Sequence, residues 1–181
     1  AVVTITGFVV GAKALFEYNK QVSSLNKELK AFGINKQEID TVRENVSAIS
    51  ETYNKEFSEV ALSVNSLSKS FGISYAEAGR LVSEGLAKGG QFNKEFLESL
   101  GEYDEFYAKA GFSAENFINI VNAGFELGIY KDKLPDAIKE LNLSLEEGTK
   151  ASRDALIYAF GTEFADKILN GVKSGVLSTK E

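Results

Sequence analysis

The chain has no cysteine, histidine, methionine or tryptophan, and only one proline, Pro135, in 181 residues. These absences remove disulfide frameworks, zinc fingers, His/Cys metal cages, Ser-His-Asp triads and Cys-His nucleophiles together. Basic charge is also short: 20 cations face 26 acids, for a net charge of −6, and no run of Lys and Arg stands out. Non-specific nucleic-acid binding needs the opposite balance. Missing cysteine fits a reducing compartment. What is present, 44% hydrophobic residues of which many are aromatic, suffices to bury a core in one or two small domains. The opening at Ala1 without methionine, and the close at Ser178-Thr179-Lys180-Glu181, a string suited to starting a helix, read as the edges of an excised fragment.

Glycine and charge are unevenly spread. Only Gly7, Gly11 and Gly33 precede Gly72, while 13 of the 16 glycines lie from Gly72 onward. Through Phe71 acids and bases cancel at 8 each, and the later part carries 18 acids against 12 bases. A boundary near Gly72 is the natural proposal, with residues 1–71 forming long helices with an apolar start and 72–181 a compact multi-helix body, or else the two forming one continuous helical domain. In the first part Leu15, Tyr18, Val22, Leu25, Leu29 and Phe32 advance by threes and fours, as an apolar helix stripe does. Ile39, Val42, Val46, Ile49 and Tyr53 form a second stripe, and Phe57, Val60, Ala61, Val64, Leu67 and Phe71 a third, beyond a break near Asn54. The first two keep a coiled-coil period, which predicts an antiparallel helical hairpin, or else a long parallel coiled coil.

In the later part, Gly72-Ile73-Ser74-Tyr75-Ala76-Glu77 combines a left-handed glycine stop with a Ser-x-x-Glu capping box, so one helix closes as the next opens. Phe117, Ile120, Val121, Gly124 and Leu127 repeat the helical period. Pro135 suits a first helical turn, Ser144-Leu145-Glu146-Glu147 reads as another capping box, and Thr162 as the cap of a helix running through Leu169. Only Val3-Thr4-Ile5-Thr6 alternates with a strand period. The predicted class is all-α: a long helical hairpin followed by a bundle of shorter helices. Gly33-Ile34-Asn35, Gly72-Ile73-Ser74 and Gly111-Phe112-Ser113 stand 39 residues apart, as do Tyr53-Asn54-Lys55-Glu56-Phe57 and Phe92-Asn93-Lys94-Glu95-Phe96, with a trace at Tyr130-Lys131-Asp132-Lys133-Leu134. The spacing fits either reused capping grammar or a degenerate helix-pair repeat.

Candidate chemistry is sparse. Glu98, Glu102, Asp104 and Glu105 supply the paired carboxylates a glycoside hydrolase would need, but acids on an exposed helix face are ordinary, and no catalytic residue is assigned. Gly85-Leu86-Ala87-Lys88-Gly89-Gly90 resembles a phosphate loop in composition only and reads better as a helix stop, so no cofactor-binding or metal-binding residue is assigned either. The aromatics Phe92, Phe96, Tyr103, Phe106, Tyr107, Phe112, Phe117, Phe125 and Tyr130 read as core packing, with a partner groove as the alternative. Ala1 to Ala12 carries no charge and holds a Gly7-x-x-x-Gly11 pair, yet is too short to span a bilayer, which takes about 20 residues. It suits a helix packed on its neighbours or on another copy, and upstream residues could extend it into a span.

Several stretches carry a family resemblance: Ser50-Glu51-Thr52-Tyr53, Phe57-Ser58-Glu59-Val60, Asn65-Ser66-Leu67-Ser68-Lys69-Ser70-Phe71-Gly72-Ile73-Ser74, Glu95-Phe96-Leu97 with Glu102-Tyr103, Ala110-Gly111-Phe112-Ser113, and Asp132-Lys133 with Asp136-Ala137-Ile138-Lys139-Glu140. In these the chain resembles the tape measure proteins of long-tailed bacteriophages, particularly those of phages and prophages of gut Bacteroidales-type bacteria. Similar sequences are more basic around Asn142 to Thr149, where this one reads Leu145-Glu146-Glu147-Gly148.

The resemblance implies a non-enzymatic virion protein, made in the bacterial cytoplasm and placed in the tail, that sets tail length and takes part in tail assembly and DNA delivery. Implied partners are other copies of itself in the tail lumen, tail tube and tail-tip proteins, and tail assembly chaperones, with no specific nucleic-acid binding and no cofactor. A helix rises about 1.5 Å per residue, so a mostly helical, proline-poor chain converts residue count into length. The glycine stops suggest that this part folds compactly within a longer chain. Two other readings stand beside it: a membrane-active module in which Ala1 to Phe16 contacts the host membrane, and a cell-wall hydrolase using Glu98 with Glu102 or Asp104.

Overall fold

In a computed structural model, residues 2–127 and 133–177 are described, with side chains from Leu15 onward. Tyr130-Lys131-Asp132 of the third-unit trace, the Ser178–Glu181 string and the surroundings of the Gly7/Gly11 pair lie outside what is described. The chain is all-α. Helix α1 spans Val2–Ala31, α2 Lys36–Tyr53, α3 Phe57–Phe71 and α4 Tyr75–Ala87; a single 3₁₀ turn covers Gly90–Phe92; then α5 spans Phe96–Lys109, α6 Ala114–Glu126, α7 Lys133–Glu147, α8 Lys150–Phe160 and α9 Thr162–Lys173. Val3-Thr4-Ile5-Thr6 lies inside α1, its short alternation absorbed by the helix that continues through Ala31.

One turn device recurs. Gly33, Gly72 and Gly111 end α1, α3 and α5 at φ 78°, 64° and 84°, a region open to glycine because no Cβ meets the preceding carbonyl. The next residue folds back. The Ile34 amide donates to the Leu29 carbonyl at 3.3 Å, and the Phe112 amide to that of Tyr107 at 3.0 Å. In the middle copy the Ser68 hydroxyl donates to the Ile73 carbonyl at 2.7 Å. Asn35, Ser74 and Ser113 then cap α2, α4 and α6, accepting the amides of Glu38, Glu77 and Asn116 at 2.9, 3.1 and 3.1 Å. Between α2 and α3 the reversal is made by Asn54, the one described non-glycine residue with positive φ.

Packing follows a two-row pattern. Helices α2, α4 and α6 contact one another in order, and α3, α5, α7 and α9 do likewise, with α3 against α5 the most extensive contact. A single cluster of buried side chains runs from Leu25 to Val121 and includes Val46, Val60, Leu67, Val82, Phe96, Leu100 and Phe117. It passes through the Gly72 turn, so α3 and α4 share it. Helices α8 and α9 pack on each other and reach the rest through α7.

Three local expectations change. The α1 stripe is buried only in its second half: Leu25 and Leu29 are enclosed, but Leu15 and Tyr18 are 65% and 42% exposed. Near the start of the stripe α1 meets the α2–α3 turn, where the Tyr18 ring contacts that of Phe57 edge-on at 6.2 Å and stays partly open to water. Ser144 is not a helix cap, because α7 continues to Glu147 and turns only at Gly148, where φ is 59°. The cap of α8 is Thr149, which accepts the Ser152 amide at 3.2 Å. Thr162 is the first residue of α9 rather than its cap; Gly161 holds the cap position, and the helix runs past Leu169 to Lys173.

Candidate functional site

The four acids around α5 do not converge. Glu98, Glu102 and Glu105 follow one another by four and three residues and lie exposed on one helix face. Asp104 points the other way, is 5% exposed, and accepts the Ser70 hydroxyl at 2.5 Å, tying α5 to the end of α3. Its carboxylate is held in packing, apart from Glu98 and Glu102. A glycosidase pair must flank one bond with both carboxylates open to it. Among the described residues no group of three or more acids is placed to hold a metal ion.

What the fold does build beside Glu98 is a groove between α3 and α5. It has a volume of about 480 Å³ and is lined by Glu59, Leu62, Ser63, Ser66, Leu97 and Glu98, with Lys94 and Gly101 at its edges. Small residues bring the two helices close. A Cβ on Gly101 would lie 3.7 Å from the Ser66 hydroxyl, and the buried Ser63 hydroxyl stands 2.9 Å from both the Glu59 and the Leu97 carbonyl oxygens. Leu62 is half exposed on the rim. The groove thus sets the exposed Glu59 and Glu98 carboxylates and Leu62 around the buried Ser63 hydroxyl.

The glycine-rich stretch is a helix stop with its backbone already occupied. Helix α4 ends at Ala87, and Gly89 takes φ 138° before the 3₁₀ turn. The Phe96 ring fills the space a phosphate would need: a Cβ on Gly85 would come within 2.6 Å of it and one on Gly90 within 2.8 Å. The Gly85 carbonyl accepts the Asn122 side-chain amide at 3.0 Å.

The aromatic residues divide. Phe96, Tyr103, Tyr107 and Phe117 are enclosed in the core, with ring centroids 4.5 Å apart for Tyr107 and Phe117 and 5.1 Å for Tyr107 and Phe112. Phe92, Phe106 and Phe125 lie at the surface, and Tyr130 is outside the described residues. The Tyr107 hydroxyl donates to the Pro135 carbonyl at 3.0 Å; burial first, and then the nearby Asp136 carboxylate, raise its pKa well above the ordinary tyrosine value. The Lys139 ammonium sits 5.5 Å from the Tyr103 ring centroid and 5.6 Å from that of Phe106, and pairs with Asp136 at 2.9 Å and Glu140 at 3.0 Å. These contacts lock α7 onto α5.

Two apolar surfaces are exposed. One is the end of the apolar start singled out in the sequence, with Leu15 and Phe16 at 65% and 68% exposure. The other is α8, which buries no residue and presents Tyr158 at 95% and Phe160 at 64% exposure. Its signal was Ala155-Leu156-Ile157-Tyr158-Ala159-Phe160, a charge-free run that reads as core. Among the described residues no helix is long and apolar enough to cross a membrane. Compared with protein-family models, characterised proteins and solved structures, the chain matches none.

Proposed function

We propose that this chain is a folded segment of a phage tail tape measure protein, located in the virion tail, which works through shape and contact surfaces and has no catalytic role. The observation that carries the reading is where the resembling residues fall. Asn65 to Ser74 form the α3–α4 turn: Asn65 accepts the Tyr75 hydroxyl at 3.2 Å, Ser68 holds Ile73, Ser70 holds Asp104, and Ser74 caps α4. Gly111 to Ser113 form the equivalent turn before α6, and Lys139 of α7 lies over the Tyr103 and Phe106 rings of α5. The resemblance is thus one of turns and helix-to-helix fastenings, as befits a structural protein.

The same observations support a helix-pair repeat as its plan. Helices α2, α4 and α6 begin at Lys36, Tyr75 and Ala114, 39 residues apart, and α3 and α5 begin at Phe57 and Phe96 with the same interval. Each pair stacks on the next, as in a short solenoid. Proposed partners are further copies of the chain, tail tube and tail-tip proteins, and tail assembly chaperones. The test is genetic: delete helical segments in frame from the full gene and measure virion tails by electron microscopy. Shortening in proportion to the residues removed, up to about 1.5 Å per residue for a continuous helix, is expected; tails of unchanged length assign the protein elsewhere.

A second reading, host-membrane contact through Ala1 to Phe16, is favoured by the exposure of Leu15 and Phe16. It requires that deleting this segment abolish leakage from liposomes; leakage that persists rejects it.

A further inference from the structure

Where α1 meets the α2–α3 turn there is a hollow of about 240 Å³, lined by Tyr18 and Gln21 of α1, Ser50 and Glu51 near the end of α2, and residues 54–57. Its polar groups are not spent on one another. Ser50 is 2% exposed, and its hydroxyl is buried without a hydrogen-bond partner. Among the described residues, the side chains of Gln21, Glu51, Asn54 and Glu56 bond to no protein group either. Buried hydroxyls are nearly always paired, so one left open in the wall of a polar hollow marks the place of a missing partner.

Charge says which kind of partner. Glu51 and Glu56 bring two carboxylates, while the one cation, Lys55, extends its ammonium to the Gln91 carbonyl at 3.4 Å. Helix α3 begins here without a side-chain cap, but Glu56 holds the cap position and sets its own negative charge where an anion would otherwise settle. One wall is aromatic: the Tyr18 ring, edge-on to Phe57, remains 42% exposed. Size narrows the choice further. Sites for whole small molecules run to roughly 300–1,000 Å³, and this one is smaller.

We infer that the hollow receives one arginine side chain presented by a partner protein. A guanidinium is flat, carries five donors and no acceptor, and stacks on aromatic rings. Glu51 and Glu56 match its charge, the Ser50 hydroxyl and the Gln21 and Asn54 amide oxygens accept its N–H groups, and the Tyr18 ring takes its face. Free arginine is the poorer occupant, because its own carboxylate would come near Glu51 and Glu56, whereas an arginine inside a chain carries none.

This contact stands or falls separately from the tail assignment, which the virion measurement addresses. The experiment is an amide NMR titration of the 181-residue chain with L-argininamide, against its neutral isostere L-citrullinamide, free L-arginine and inorganic phosphate. Expected are saturable shifts confined to Gln21, Ser50, Glu51 and residues 54–57, with a midpoint in the millimolar range that a single side chain supplies, rising with added salt. Glu51→Gln combined with Glu56→Gln should weaken binding at least tenfold and Ser50→Ala roughly threefold, while the exposed Glu115→Gln on α6 changes nothing. Circular dichroism of each variant should match the wild type, since the Glu51 and Glu56 side chains are exposed and Ser50→Ala removes only an unpaired hydroxyl. Shifts that grow without saturation, or that scatter over the surface, overturn the inference. So does citrullinamide binding as tightly as argininamide, free arginine binding more tightly, or wild-type affinity in the Glu51/Glu56 variant. Phosphate moving the same amides would make the hollow an anion site and also overturn it.

Discussion

At the level of single residues, four of the buried polar groups fasten helices. Asp104, Ser63, Asn122 and Tyr107 each bond to a neighbouring helix or its end. Tyr107 gives the clearest measurable consequence. Its folded-state pKa is raised from the ordinary 10.0 by burial and by Asp136, so the folded protein favours the neutral phenol. The stabilisation is complete below the unfolded value and is lost as pH rises from about 10 toward the folded value. Urea midpoints should hold steady from neutrality to mild alkali, where no histidine titrates, and then fall. Tyr107→Phe should lower stability near neutrality by about 1 kcal/mol, through the lost bond to Pro135, and flatten the alkaline fall. Tyr75 and Lys139, whose pKa values are also raised, account for the slope that remains. An unchanged alkaline slope in Tyr107→Phe would contradict this account of the Tyr107 environment.

At the level of elements, how much was legible depends on how local the signal is. The glycine stops and the Asn35, Ser74 and Ser113 caps were readable because a turn needs only the few residues that make it. The stripes of α2 and α3 were readable because both helices are covered along their length: Val42, Val46 and Ile49, then Val60, Val64 and Leu67, are all buried. The α1 stripe misled because burial depends on what packs against each turn of the helix, which periodicity does not encode. Ser144 misled because the capping-box pattern also occurs inside a helix that has not yet met its glycine. The acids of α5 looked like a cluster in sequence, but Asp104 lies on the opposite face from Glu98, Glu102 and Glu105. Capping offers a direct test. Asn35→Ala, Ser74→Ala and Ser113→Ala should each cost about 1 kcal/mol in chemical denaturation, as equivalent N-caps do. Ser144→Ala should cost less, having no amide to satisfy. A cost at Ser144 equal to that at Ser74 would restore the cap that the structure places at Thr149.

For the whole molecule, the decisive feature is the unequal distribution of its core. One buried cluster holds α1 through α6 together across the Gly72 turn, whereas α8 contributes nothing to any core and α9 buries only Ala165 and Leu169. Cooperative opening follows shared burial, so regions with few buried contacts exchange their amides first. In dilute solution, hydrogen exchange should therefore find α3 and α5 most protected, with α2, α4 and α6 losing protection together with them under mild denaturant. Helix α8 should exchange orders of magnitude faster, at a rate set by opening of the α8–α9 hairpin alone. Protection of α8 equal to that of α5 would mean that the α8–α9 hairpin opens only with the main core, and would contradict this account.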